Sequence, residues 1–264
     1  MNNFCVYMRP LWRAFFFIQV LHVSACSQIS LFKSDVIVSS ENIPTFENND
    51  YAEHLEGLRR SIKNNPELRF IKLRRESRAY LEEVFNRILA NNELLLEKKN
   101  KPTFNIIDSK IPFIFSLPGY HFYFSRGLIK KYLKNESLLI SAFAFEIIKS
   151  GREIYDKKRI IPIGIIEIPQ ALSMTRIDLE MKLEIYKWTY YALKRSDYDA
   201  SAILNWIQTQ NKNTLDFSWQ ISDPRGVSRE EFMFKNFLVG LGEVKDDIPE
   251  INSTVGFYRL QEGL

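Results

Sequence analysis

The chain has 264 residues, 45% hydrophobic and 26% charged, which is the balance of a folded globular protein and excludes a disordered chain or a multi-span membrane protein. A core of that size needs no metal or disulfide staple. Of 36 Lys and Arg, only Arg9 and Arg13 precede residue 26, where no acid stands, leaving 34 basic against 32 acidic residues. A surface so nearly neutral gives no electrostatic ground for a nucleic-acid partner.

Arg9 and Arg13 open a positive start, and Ala14 to Leu21 form an apolar run too short to span a bilayer, which takes about 20 residues. Small residues Ser24 and Ala25 follow, then Cys26. Charge, apolar run and small residues in that order predict a secretory signal over 1–25. Val23-Ser24-Ala25-Cys26 also resembles the lipobox of bacterial lipoproteins, whose Cys is acylated and becomes the new N-terminus. That resemblance implies a lipid anchor at Cys26 and a membrane partner. Ser27 after the Cys implies the periplasmic face of the outer membrane. The alternative is an ordinary signal with a Cys beside its cleavage site. Only Cys5 and Cys26 occur, so the mature chain has no free thiol once Cys26 is acylated.

Residues 26–50, with Ser39, Ser40, Asn42, Pro44, Asn48 and Asn49, read as a tether, and 51–264 as one domain. Helical spacing of Leu81, Val84, Phe85, Ile88 and Leu89 marks a helix within the charged segment 66–96. Residues 103–107 and 111–124 are β-like, bent at Pro118-Gly119. Helices are predicted over 125–133, 136–150, 174–196, 199–210 and 228–241, and a loop or short strand over 160–169. With 20 Phe and 12 Tyr the core should be ring-rich. The fold class is α+β: a mostly helical single domain with a small sheet.

The segment from Phe115 to Leu128 carries the most specific pattern. Phe115-Ser116-Leu117-Pro118-Gly119-Tyr120-His121-Phe122-Tyr123 and the following Gly127-Leu128 resemble the strand and turn preceding the zinc helix of gluzincin peptidases of the HtpX and CAAX prenyl protease kind (peptidase family M forty-eight). Ala144-Phe145-Glu146-Ile147-Ile148-Lys149 stands where that family has A-H-E-x-x-H. Glu184 to Asp199 has the spacing of its E-x-E-A-D to G-Y-D-P segment, and Ser222-Asp223-Pro224 with Arg229 that of its T-H-P and later Arg. The resemblance covers residues 75–240 and implies a gluzincin metallopeptidase-like fold.

The departures from that pattern bear on chemistry. A catalytic zinc of this class needs two His on one helix face, a third ligand from another helix, and a Glu to activate water. Phe145 and Lys149 stand at the two His positions, Lys182 at the ligand Glu, Tyr186 at its supporting Asp, and Asp223 at the His of the T-H-P turn. Of the motif, Glu146 alone keeps its residue type. The chain has only His22, His54 and His121, with no pair at helix-face spacing. No metal or other cofactor is expected. Neither G-x-S-x-G nor a Gly-rich phosphate loop occurs.

The reading that results is an inactive peptidase homologue, lipid-anchored in the cell envelope, serving as a binding or assembly module. By the resemblance, an extended peptide or an envelope protein would lie along Ile114, Phe115, Ser116 and Leu117 and be held by backbone hydrogen bonds. The side chains of Phe115 and Leu117 themselves read as core. Two alternatives stand: an active peptidase with an unrecognised site, and a structural lipoprotein without a peptide groove. Charge bookkeeping adds one expectation. An inward Glu146 deprived of a dication needs a cation, and Lys149, three residues on, or Lys182 can supply it, with Phe145 filling the apolar side.

Overall fold

Helix formation at the centre of the chain is dictated by apolarity on every face. The computed structural model describes residues 36–39, 48–93, 100–155, 158–161, 165–221, 224–243 and 253–264. Within them, helix α3 (Glu136–Gly151) is buried continuously from Leu138 to Ser150, which a helix tolerates only when other elements surround it. Its start is set by Asn135, whose side chain accepts from the Leu138 N–H at 2.9 Å. Helices α1 (Asn48–Lys63), α2 (Arg75–Ala90), α4 (Ile168–Met174), α5 (Leu179–Arg195), α6 (Ala202–Lys212), α7 (Pro224–Gly240) and α8 (Val255–Glu262) complete the helical part. The molecule is α+β, mostly helical with a small mixed sheet.

The sheet runs β2 (Phe70–Ile71), β3 (Thr103–Ile107), β5 (His121–Ser125), β4 (Ile114–Leu117) in space, so β4 is an end strand. β3 and β5 are parallel; the other pairs are antiparallel. Alternation along the strands divides the core in two. Phe104, Ile106, Ile114, Phe122 and Phe124 face α2 and α3, with Phe122 and Phe143 rings edge to face at 4.9 Å. Ile107, Phe113, Phe115, Leu117 and Tyr123 face α1 and α4, with Phe115 and Tyr123 stacked at 4.7 Å.

The β4–β5 turn lies at Pro118-Gly119-Tyr120. Gly119 (φ +79°) and Tyr120 (φ +65°) both take left-handed backbone, and Ser150 of α3 pins the turn. Its hydroxyl donates to the Leu117 carbonyl at 2.7 Å and accepts the Tyr120 N–H at 2.9 Å.

Several boundaries differ from the sequence reading. The 125–133 helix is a π-helical turn, Leu128–Tyr132, extended by a bond from Leu133 N–H to the Leu128 carbonyl at 3.1 Å. The 174–196 helix is broken after Met174, because Asp178 caps a new start by accepting from Met181 N–H at 2.7 Å. Pro169 begins α4 instead of ending a loop, within a Glu167–Gln170 capping box. α8, unforeseen from sequence, docks on α2 with Gly256 against the Tyr80 ring. Within the stretch read as tether, β1 (Val36–Ser39) pairs antiparallel with β6 (Lys158–Ile161), and α1 begins at Asn48.

Candidate functional site

A cleft of about 400 Å³ opens where α3, α5, α7 and the link preceding α5 meet the end of β4. Phe145, Glu146, Lys149 and Lys182, separated in sequence by up to 37 positions, all line it, as do Ile114, Phe115 and Arg229. Ser116 and Leu117 are buried and do not line it. Asp223 and Cys26 lie outside the described residues.

Glu146 and Lys149 sit one helical turn apart on α3 and are 3% and 4% exposed. The Lys149 ammonium donates to Glu146 Oε2 at 3.1 Å, and the Ser116 hydroxyl donates to the same oxygen at 2.6 Å. Ser116 reaches α3 because its side chain shares the strand face of Ile114, and its hydroxyl also lies 3.2 Å from the Glu146 carbonyl. The ammonium in turn stands 5.6 Å from the ring centre of Tyr155, a phenol whose pKa burial drives up.

Lys182 answers a different carboxylate. From the first turn of α5 it donates to Glu230 Oε1 on α7 at 2.7 Å, not to Glu146. Of the two lysines expected as a partner for Glu146, Lys149 takes that place, while Lys182 meets a buried acid on α7, 48 residues away in sequence. Phe145 packs on Tyr186, ring centres 4.7 Å apart, and Tyr186 on Phe234 at 5.8 Å. Burial, with Glu230 and Glu146 beside it, raises the Tyr186 phenol far above its ordinary pKa. A ring layer thus fills the apolar side of the cleft.

This donor set does not fit a zinc ion. A phenyl ring at Phe145 and ammonium groups at Lys149 and Lys182 offer no lone pair to a metal, and Lys149 already neutralises Glu146. Among the described residues, no group of three or more His, Cys, Asp or Glu could hold a metal. His121 accepts or donates at Thr103 Oγ1, 2.7 Å away, with its pKa lowered by burial and the Arg59 cation.

β4 ends the sheet, and Ile114, Phe115, Ser116 and Leu117 are each 2% exposed or less, with the Phe115 and Leu117 side chains in the core as expected. Ser125 N–H donates to the Phe113 carbonyl, so by antiparallel alternation Phe115 and Leu117 turn their backbone groups to β5, and Ile114 and Ser116 turn theirs outward. The outward Ile114 N–H is taken by Gln220 Oε1 at 3.0 Å. Among the described residues of β4, Ile114 is thus the one whose outward backbone borders the cleft, and Gln220 covers its N–H.

Glu230, Tyr155, Gln220 and Arg176 complete the site and escaped the sequence reading. Nothing local marks them; each is brought in by packing between distant segments. No protein-family model matches the chain, and no curated protein matches it either.

Proposed function

We propose that the protein is a lipid-anchored, catalytically inert relative of the gluzincin peptidases that holds extended segments of envelope proteins without cleaving them. The observation that supports this most directly is the state of Glu146. A general base must be free to take a proton from water beside an electrophile. Here the carboxylate is buried, ion-paired to Lys149 and bonded by Ser116, with a ring and ammonium groups where metal ligands would stand. Gln220 Oε1 on Ile114 N–H occupies the place of an incoming peptide carbonyl, which supports backbone pairing at that end of β4.

The test uses the full chain in detergent micelles and Val/Thr-rich peptides N-methylated at alternate positions. Pairing along a strand presents every second N–H, so methylation of one set should weaken binding at least about tenfold while the other set is tolerated. Peptides should be recovered intact by mass spectrometry, with or without added zinc. Equal effects of both methylation sets, or chelator-sensitive cleavage, would overturn the proposal.

A further inference from the structure

The charges of the cleft do not balance. Each of its described carboxylates has a partner: Glu146 has Lys149, Glu230 has Lys182, and Asp178 accepts the Met181 N–H at the start of α5. Arg176 has no such mate among the described residues. It is half-buried in the cleft wall, in the link between α4 and α5. One Nη donates to the Trp219 carbonyl at 2.6 Å, and Nε, shielded from water, has no hydrogen-bond partner among the described residues. Burial lowers its pKa, and no described carboxylate holds it up. A guanidinium withdrawn from water against a single neutral acceptor is costly until an anion reaches it. Arg229, exposed on α7, adds a cation to the same cleft.

The two consecutive residues Trp219 and Gln220 tie this guanidinium to the end of β4. Trp219 holds Arg176 through its carbonyl, and Gln220 covers the Ile114 N–H. A strand replacing Gln220 would therefore pass beside Arg176.

We infer that the cleft takes an extended peptide bearing a carboxylate, with Arg176 binding the carboxylate and Ile114 pairing with the peptide backbone. This rests on the proposed capture at β4 and names its ligand chemistry. An acidic side chain and a free C-terminus both offer that group, in the geometry that a guanidinium grips with two parallel hydrogen bonds.

Versions of one extended peptide distinguish the sources when titrated by fluorescence anisotropy against the full chain in micelles. One is neutral and amidated, one carries a central Glu and is amidated, one is neutral with a free C-terminus, and one carries a central Lys and is amidated. At least one carboxylate peptide should bind about tenfold or more tighter than the neutral amide, and the better of the two identifies the source. Arg176→Gln should erase that preference, bringing the carboxylate peptides to the affinity of the neutral amide. Arg229→Gln, at an exposed position that puts folding at little risk, should reduce it severalfold. Equal binding of all four peptides, or a preference unchanged in every variant that folds, overturns the inference and leaves capture at β4 standing. Binding of none of them overturns capture itself, and this inference with it.

Discussion

Glu146 and Lys149 are the residues on which the chemistry of the cleft turns. Both are withdrawn from water, so their mutual attraction offsets a desolvation cost of several kcal/mol per ion, and Ser116 satisfies a further lone pair. Removing one partner leaves the other uncompensated. Lys149→Met should therefore destabilise the domain by about 3–5 kcal/mol, and adding Glu146→Gln should recover part of the loss, because the neutral amide no longer needs a cation. Denaturant unfolding of the two variants checks this; a double variant less stable than the single one would show that the two groups do not depend on each other. The Glu146–Lys149 spacing was legible in the sequence, since residues three apart share a helix face. The Lys182–Glu230 pair was not, because it joins the starts of two helices that only tertiary packing brings together.

At the scale of elements, α3 and β3 to β5 fall where apolar runs and the Pro118-Gly119 bend place them, and errors gather at helix ends. One reason is that a Pro or an Asp has opposite meanings at the two ends of a helix. Pro169 lies in the first turn of α4, where the sequence read as a loop or short strand, and Asp178 caps α5 inside a segment read as one continuous helix. The π-helical turn has a different origin. Gly127, just before it, presses on the loop leading into β4: an added Cβ would lie 2.1 Å from the Lys110 carbonyl oxygen, and the Gly127 N–H donates to the Ser109 carbonyl at 2.8 Å. Gly127→Ala must push that backbone away, at a cost of about 1–3 kcal/mol. Its melting temperature should be several degrees below that of the unaltered protein; an unchanged value would mean that the loop yields freely.

Across the whole molecule, the sheet is a middle layer, with α1 and α4 on one face and α2 and α3 on the other, and the cleft opens at its β4 end. No described helix is long and apolar enough to cross a membrane. The anchor we propose is instead covalent, at Cys26. A single acyl chain holds a protein to a bilayer only marginally, whereas the several chains of a bacterial lipoprotein hold it stably. Cys26→Ala should therefore leave the chain uncleaved or shift it from the membrane to the soluble fraction on cell fractionation. A correctly processed Cys26→Ala protein that stays on the membrane would exclude the anchor.

Sequence alone determined what depends on composition and near neighbours. The apolar, ring-rich helix 136–151, the bend at Pro118-Gly119, and the lack of any His pair at helix-face spacing are all readable in the chain, because side-chain chemistry and helical period are local properties. Tertiary structure decided which carboxylate Lys182 meets, that the Ile114 N–H of the end strand β4 is covered by Gln220, and that Arg176 is left without an acid among the described residues. Those outcomes hang on contacts between segments 40 or more residues apart. Their energies come from burial and from the removal of water, and neither exists until the layers have closed around the cleft.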